Sequence, residues 1–330
     1  MDFKFLVAAG LLTIGALLSL HLSYSETQVA NLGFSNFKAQ FGKKYMTLEE
    51  ERYRRTIFEN KVAEINAHNA QNLSWTMAVN QFSDMTFEEF KNFYLSQVVL
   101  DNSASINTPH VQPKAGKKDW RDEKVVTPVK NQASCGSCWA FSATGALEAA
   151  WGIKNQGKDL LQFSEQELVD CSGDYGNGGC NGGLMTLAYD YIKDKKINLG
   201  EDYKYTARDG ACKPKLDKVR TGLESYSLLE SFNVDSLIKS LDNQPVAVAI
   251  EVQSDFQSYS SGIYKPRNSS CGNGLNHGVL AVGYNTEESY FIVKNSWGTS
   301  WGDKGYIKMA IGTGRGTCGI ANKWDAIPSL

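Results

Sequence analysis

The residues best suited to chemistry lie in one short stretch, Gln132-Ala-Ser-Cys-Gly-Ser-Cys-Trp-Ala-Phe-Ser142. Cys138 is predicted to lie in the first turn of a helix that extends to about Ala150. The N-terminus of a helix supplies partial positive charge. A thiol must lose its proton to act as a nucleophile, and nearby positive charge lowers its pKa. The stretch therefore predicts an activated thiolate that needs a histidine partner elsewhere in the chain.

The chain contains four histidines, and His277 is the one that lies in the part expected to carry the chemistry. His21 falls in an N-terminal apolar run, His68 in a helical region and His110 in a polar linker. His277 enters a predicted strand 139 residues after Cys138, which is a suitable separation for a cysteine–histidine pair. A lone histidine beside a strand is more often structural, but no other partner is available for this thiol.

Three further residues could support this pair. Asn295 follows the next predicted strand, where its side chain would fix the tautomer and orientation of the His277 ring. Trp297 would shield that hydrogen bond from water. Gln132 is predicted to donate its amide N–H, together with the backbone N–H of Cys138, to the oxyanion formed when the thiolate attacks a carbonyl. The simpler interpretations are a turn asparagine, a core aromatic residue and a surface glutamine.

The N-terminus and the cysteine count indicate export. Lys4 precedes the uncharged apolar run Phe5–Leu20 and small residues follow, so residues 1–25 are predicted to be a cleaved signal peptide. A retained membrane anchor is the alternative, and the run is short for it. Seven cysteines predict three disulfides and one free thiol, and their spacing leaves the pairing open. Asn72 and Asn268 begin glycosylation sequons.

The composition of the chain predicts four segments. Residues 26–113 form a cysteine-free segment with helical periodicity that ends in a linker suited to proteolytic nicking. Residues 114–222 carry mainly helical signals and the nucleophile. Residues 223–330 carry short β-branched strands, the histidine and the asparagine. After the signal peptide, we therefore expect a removable prosegment followed by an α+β body.

Local patterns give more specific predictions. One helix should present an apolar stripe of Phe34, Phe37, Phe41 and Tyr45. Capping boxes are predicted at 86–89 and 164–167. Strands are predicted at 75–79, 245–252, 278–284 and 290–293.

Composition also argues against several classes of function. The net charge of −2 and the absence of a long basic cluster disfavour a nucleic-acid partner. A hydrophobic content of 42% is ample for a packed core. A zinc site needs several ligands such as histidine, and the body carries one, so no metal or organic cofactor is expected. No membrane association is expected once the signal peptide is removed.

Together, Cys138, His277, Asn295, Gln132 and the Cys135-Gly-Ser-Cys-Trp139 motif resemble the papain family of cysteine peptidases, and within it the cathepsin L-like group. The resemblance covers nearly all of residues 26–330. It implies a papain-like two-domain fold, with a helical left domain, an antiparallel β-barrel-like right domain and a cleft between them, preceded by a helical prosegment. It also implies an endopeptidase zymogen that hydrolyses peptide bonds through an acyl-enzyme.

The prosegment resembles the family's inhibitory propeptide. It matches an interspersed helical motif at Glu50, Arg54, Phe58, Ile65 and Asn69, and a second motif at Asn80, Phe82 and Asp84. Lys61 and Ala78 depart from the family, which usually has asparagine and glycine there. The resemblance implies that this segment runs backwards through the cleft and blocks it until acid pH releases it.

The resemblance also implies pairings and binding residues. The implied disulfides are Cys135–Cys180, Cys171–Cys212 and Cys271–Cys318, with Cys138 free. The implied substrate-binding residues are Gly182, Gly183, Leu184, Met185, Ala249, Leu275, Asn276 and Trp297, and they favour an apolar side chain at P2, the second residue before the scissile bond.

Lys323 stands five residues after Cys318, where the family often sets selectivity, and it could favour an acidic side chain at P2. Two alternatives are that it extends to solvent or that Trp324 takes the position.

The expected partners are protein and peptide substrates, the chain's own propeptide and cystatin-type inhibitors. The expected state is a monomer that is secreted or lies in a lysosome or vacuole.

Two other functions compete with the peptidase. Cys135 and Cys138 form a Cys-x-x-Cys motif, as in redox proteins, but no βαβ context surrounds it. An inactive homologue that acts as a binding protein is the second, and the intact catalytic set disfavours it. A cathepsin B-like dipeptidase is disfavoured because no His-His insertion is present.

Overall fold

The computed structural model describes residues 33–96, 100–101 and 116–330, so the predicted signal peptide and most of the predicted linker lie outside the described residues. The described chain divides into two units, one of residues 33–64 and 83–85 and a larger one that contains the rest. Across these ranges, no helix is both long and apolar enough to cross a membrane.

The described helices concentrate in the first two thirds of the chain. They are α1 at residues 33–41, α2 Leu48–Asn69, α3 Phe87–Tyr94, α4 Cys138–Lys154, α5 Glu165–Cys171, α6 Met185–Lys195 and α7 Val234–Leu241. Short 3₁₀ turns occur at Gly173–Tyr175, Gly179–Asn181, Phe256–Ser258 and Thr317–Gly319. The helix predicted from Cys138 is confirmed and continues beyond Ala150 to Lys154. The helix α7 was not predicted.

The two predicted capping boxes differ in outcome. At α3, the Thr86 hydroxyl accepts from the Glu89 N–H and the Glu89 carboxylate accepts from the Thr86 N–H, so this box is confirmed. At α5, Ser164 accepts from the Glu167 N–H, but the Glu167 carboxylate binds elsewhere. It accepts from Tyr191, the backbone of Asn198 and Arg220. The second hydrogen bond of the box, from the Ser164 N–H to the Glu167 carboxylate, was therefore predicted wrongly. A buried carboxylate needs a charged partner, and Glu167 has Arg220.

An aromatic cluster holds the smaller unit together. Phe34, Phe37 and Phe58 are buried, and Phe41, Tyr45 and Val62 pack against them. Helix α1 ends at Phe41, so Tyr45 reaches the cluster from the following loop and not from the predicted helical stripe. Its ring stacks on Phe34, with 6.0 Å between centroids, and its hydroxyl donates to Asp84 at 2.9 Å.

The strands lie mainly in the C-terminal third of the chain. They are β1 Trp75–Met77, β2 Leu100–Asp101, β3 Lys117–Asp119, β4 Ile197–Asn198, β5 Arg220–Thr221, β6 Ser225–Leu228, β7 Val246–Ile250, β8 Tyr259–Tyr264, β9 Gly274–Leu275, β10 His277–Asn285, β11 Tyr290–Lys294, β12 Tyr306–Ala310 and β13 Ala326–Ser329. Each of the four predicted strands is present, with its ends shifted by a few residues. The helical region followed by a strand-rich region agrees with the α+β expectation.

One large sheet positions the later residues of interest. Its strand order is β1-β8-β12-β11-β10-β7-β13-β6, with β3 added along β10. The neighbours are antiparallel except β12 and β8. The strand β10 is buried along its whole length, which agrees with the uncharged and mainly apolar run of residues 278–284 within it. Helix α4 packs on β10 and β7 and is itself buried on nearly every side.

Close contact between α4 and β10 depends on a glycine. A Cβ on Gly278 would lie 3.0 Å from the Trp139 Cα and 3.2 Å from the Cys138 carbonyl carbon. A larger residue at this position would push the strand away from the helix. The sheet and the helix therefore bring the start of β10 against the start of α4.

Candidate active site

Cys138 is the first residue of α4, so its thiol lies at the helix N-terminus as predicted. Ser137 precedes it without a side-chain cap. The thiol is buried, and burial raises its pKa to about 11, while backbone N–H groups of Gly278, Trp139 and Ser96 oppose that shift. In this state Cys138 is a neutral thiol, because its pKa lies far above neutral pH.

His277 and Asn295 meet directly. Nε2 of His277 lies 2.8 Å from Oδ1 of Asn295. The same oxygen accepts the backbone N–H of Ser296 at 2.8 Å, which identifies it as the carbonyl oxygen of the amide. The imidazole therefore carries its proton on Nε2 and leaves Nδ1 as an acceptor. Within the described residues, Nδ1 has no hydrogen-bond partner.

Trp297 covers the imidazole. Its ring stacks on His277 with 4.6 Å between centroids and an interplanar angle of 27°, and Trp297 is 0% exposed. Burial lowers the pKa of His277 to about 4, and the bond to Asn295 opposes that shift. The histidine is therefore neutral in this state, like the thiol.

The amide of Gln132 has a defined orientation. Its Oε1 accepts from the Ser296 hydroxyl at 2.7 Å and from Trp297 Nε1 at 3.1 Å. Because an indole N–H can only donate, the atom facing it must be the amide oxygen. The nitrogen therefore points the other way, where it donates to the carbonyl oxygens of Tyr94 and Cys135 at 2.9 Å each. The motif did not predict that Ser296 and Trp297 orient Gln132, since it gives no side-chain direction.

Backbone of residues 94–96 and 100–101 lies against this site. Besides the Tyr94 carbonyl at Gln132, the Ser96 N–H donates to the Asn276 carbonyl at 2.9 Å. Strand β2 pairs antiparallel with β9, with Leu100 opposite Leu275 and Asp101 opposite Gly274. Backbone of the predicted prosegment therefore lies against Leu275 and Asn276, two of the residues that the sequence assigned to substrate binding.

The remaining predicted binding residues form two groups. Gly182, Gly183 and Leu184 make a loop fixed by Asn177, whose Oδ1 accepts from the Leu184 N–H at 2.8 Å. Met185, Ala249 and Leu275 belong to one buried hydrophobic cluster, and Trp324 packs against it. Asn276 accepts from the Val252 N–H through its side chain, which fixes the turn before His277.

Lys323 is exposed, and its amino group lies 5.1 Å from the centroid of the Trp324 ring. The neighbouring Asp325 is fully buried and accepts from the Asn322 N–H. The exposure of Lys323 is what the solvent alternative expects, and the packing of Trp324 against the cluster of Met185 and Ala249 is what the Trp324 alternative expects. Whether Lys323 influences selectivity stays a prediction.

The described chain contains three disulfides, Cys135–Cys180, Cys171–Cys212 and Cys271–Cys318, and Cys138 is the free cysteine. Because Cys135 is bonded to Cys180, it is not available as a redox partner for Cys138. The described residues contain no group of three or more histidine, cysteine or acidic side chains that could hold a metal ion.

Comparison with known proteins agrees with this geometry. Residues 115–327 match the family described as papain family cysteine protease, and residues 34–90 match the cathepsin propeptide inhibitor domain. The chain is 42% identical over 306 residues to digestive cysteine proteinase 3 of Homarus americanus, covering 89% of this chain and 94% of that protein. It is 42% identical over 299 residues to a cathepsin L-like proteinase of Fasciola hepatica, covering 87% and 90%.

Solved structures are similar over the same span. Digestive procathepsin L 3 from the larval midgut of Tenebrio molitor superposes with a TM-score of 0.79 at 37% identity, covering 91% of this chain and 99% of that one. The recombinant stem bromelain precursor gives a TM-score of 0.80 at 35% identity, covering 91% and 99%. The chain therefore belongs to the papain family of cysteine proteases and carries the propeptide that inhibits such enzymes.

Proposed function

We propose that Cys138 is the nucleophile and His277 the general acid and base of an endopeptidase that cuts proteins and peptides. The observation that carries this assignment is the hydrogen bond from His277 Nε2 to Asn295 Oδ1, because it leaves Nδ1 free to take the thiol proton. Cys138 at the start of α4 has the helix N-terminus to stabilise its thiolate. When the prosegment leaves, the thiol and imidazole can form an ion pair.

The reaction then follows from these roles. The thiolate attacks the peptide carbonyl carbon and forms a C–S bond, and negative charge develops on the carbonyl oxygen. Gln132 Nε2 and the backbone N–H of Cys138 stabilise that oxygen. His277 gives its proton to the departing amine as the C–N bond breaks. Water then attacks the acyl-enzyme, with His277 taking its proton, and the thiol is restored.

The pocket for the P2 side chain is proposed to be apolar. Met185, Ala249 and Leu275 share one buried cluster with Trp324 beside it, which supports a preference for leucine or another apolar residue. Backbone groups of the Gly182–Gly183 loop are proposed to pair with extended substrate. A gain for glutamate at P2 that disappears in Lys323→Ala would instead support a role for Lys323.

Activation is proposed to occur at acid pH, with cleavage between residues 111 and 117. The mature enzyme would then comprise a helical domain to residue 222 and a β domain from 223 to 330. We further propose a lysosomal, vacuolar or secreted location, a monomeric state and inhibition by cystatin-type proteins. The free thiol at Cys138 and the three disulfides support an exported thiol protease.

Labelling tests the assignment directly. The acid-activated protein is treated with an epoxide peptide probe, and mass spectrometry locates the adduct and the new N-terminus. We expect one adduct, on Cys138, and loss of both labelling and peptide cleavage in Cys138→Ala. His277→Ala should lose cleavage while it keeps the disulfides. A correctly processed protein that neither labels nor cleaves peptides would contradict the proposal and favour a binding protein.

A further inference from the structure

A buried cluster of charges lies behind the proposed catalytic residues. It contains two lysines and two glutamates, Lys130, Lys294, Glu148 and Glu165. Lys130 binds both carboxylates, with distances of 2.5 Å to Glu148 and 2.5 Å to Glu165. Glu148 is 0% exposed and Lys294 is 7% exposed. Charges this deeply buried are unfavourable unless each is paired and hydrogen-bonded, so the cluster is strongly constrained.

Two threonines form hydrogen bonds with the cluster. Thr127 accepts from Lys294 Nζ at 3.0 Å and donates to Glu148 Oε2, so one hydroxyl links the lysine to the carboxylate. Thr144 donates to Glu165 Oε1 at 2.7 Å on the other side of the cluster. Both threonines are buried. Lys294 is thus joined to the cluster through Thr127, whereas Thr144 contacts Glu165 alone among these residues.

Lys294 is also the last residue of β11 and directly precedes Asn295. The next residues have defined partners, because Asn295 bonds His277 while Ser296 and Trp297 bond Gln132. Residues 294–297 therefore form one segment whose first side chain bonds to the charge cluster and whose next three side chains bond to His277 or Gln132.

A small cavity borders both regions. Its volume is about 20 Å³, and it is lined by Lys130, Glu148, Lys294, Asn295, Ser142 and Val279, among others. Ser142 lies one turn after Cys138 on α4, and Val279 lies two residues after His277 on β10. The Ser142 hydroxyl donates to the Val279 carbonyl at 2.7 Å, which ties the helix to the strand. The charge cluster and Asn295 therefore line the same cavity.

We propose that Lys294 is a positioning residue, which the Thr127 hydroxyl and Glu148 hold in place so that Asn295 stays aligned with His277. The inference rests on the proposed function, because it assigns Asn295 the role of orienting the imidazole. Lys294 does not touch substrate. Burial lowers the pKa of Lys294 to about 8, and the glutamates oppose that shift, which fits a side chain that depends on these partners for its charge.

The test compares two matched variants of the acid-activated enzyme. Thr127→Val removes the hydroxyl that links Lys294 to Glu148. Thr144→Val removes a hydroxyl that bonds a carboxylate of the same cluster without touching Lys294. Each replaces one buried hydroxyl by a methyl group, and equal losses of thermal stability would show that they are matched. Thr127→Ser keeps the hydroxyl and serves as the rescue.

A misaligned Asn295 supports the imidazolium less well, so the pKa of His277 in the active enzyme falls. For Thr127→Val we expect kcat/KM to fall about tenfold through kcat, with the alkaline limb of its pH profile moved about half a unit towards lower pH. Thr144→Val and Thr127→Ser should retain the wild-type profile. If Thr127→Val does not fold, Lys294→Met tests the same link from its other end.

Equal pH profiles for Thr127→Val and Thr144→Val, with wild type fully active, would overturn the positioning role and leave the proposed function intact. A wild-type enzyme that does not label at Cys138 would overturn the proposed function, and the positioning role with it. The two failures are therefore distinguishable.

Discussion

The side-chain amide of Gln132 donates to the carbonyl oxygen of Tyr94 at 2.9 Å. Tyr94 is the last residue of α3 and belongs to the predicted prosegment, so a carbonyl of that segment engages the donor proposed for the oxyanion. The amide cannot turn away, because Ser296 and Trp297 hold its oxygen. The zymogen therefore uses a group that the mature enzyme would need for catalysis.

Replacing Gln132 tests its role in the mature enzyme. Gln132→Ala should lower kcat by about 100-fold or more with a small change in KM, because the lost donor acts mainly on the transition state. Gln166→Ala is a matched control, since Gln166 is also buried and donates to Asp170 and to the Arg208 carbonyl. Equal kcat values for both variants would refute the oxyanion role.

Gly278 should be essential for the spacing of thiol and imidazole. Gly278→Ala places a methyl group 3.0 Å from the Trp139 Cα, so β10 must move away from α4. We expect a loss of about 1–3 kcal/mol in stability and a larger fractional loss of kcat/KM. Gly173→Ala is the control, because its added Cβ meets nothing within 4 Å. Urea denaturation and peptide hydrolysis measure the two effects, and a fully active Gly278→Ala would contradict the geometry.

The pH dependence of zymogen stability should carry a contribution from His277. Its pKa is lowered to about 4 when folded, mainly by burial, and lies near 6.5 when unfolded. The unfolded chain therefore binds more protons between these values, and stability falls as the pH falls through that window. The loss attributable to this residue is at most about 3 kcal/mol.

The measurement is urea denaturation of the zymogen at pH 4 to 8, in a Cys138→Ser background that prevents self-processing. His277→Gln removes the titrating group, so the stability difference between the two proteins should shrink as the pH is lowered and stay constant above about 7. A difference that is constant across the range would refute this contribution to acid activation.

The backbone N–H of Ser96 should help to keep the prosegment in place. Ser96→Pro removes the N–H that bonds the Asn276 carbonyl and also faces the Cys138 thiol, and the extended conformation of Leu95 permits a following proline. Losing about 1 kcal/mol should raise the rate at which the zymogen reacts with a peptide epoxide by roughly fivefold. Ser96→Ala keeps the N–H and so separates the loss of the backbone bond from the loss of the hydroxyl. Identical rates for the proline and alanine variants would show that this bond does not restrain the zymogen.

The sequence predicted the elements that carry strong local signals. The strand β10 was predictable from its mainly apolar run, and α3 from the capping box at Thr86. Glu167 shows why a local pattern such as the capping box can fail. Its carboxylate accepts a hydrogen bond from Arg220, which lies 53 residues away in the chain. Likewise, Tyr45 fits a helical spacing but reaches the aromatic cluster from a loop.

The composition of the candidate site was predictable from motif spacing, but its internal geometry was not. The segment 294–297 was predicted to supply Asn295 and Trp297, and the role of Ser296 in orienting Gln132 was missed. That role depends on a hydrogen bond between residues 164 positions apart, for which a single sequence gives no signal. The buried position of Lys294 was missed for a similar reason, since lysine is usually exposed.

The disulfide Cys135–Cys180 joins the loop before α4 to the Gly182–Gly183 loop, and Cys135 is 2% exposed. Cys138 and Cys135 therefore have opposite redox requirements. Cys138 acts as a nucleophile only as a reduced thiol, whereas Cys135 joins the two loops only as an oxidised disulfide. Shielding of Cys135 leaves the half-buried Cys180 as the more accessible end of this bond, because exchange requires direct access to a sulfur atom. A reductant that restores an oxidised nucleophile must therefore be mild enough to spare Cys180, since this bond ties the loop before α4 to the glycine loop.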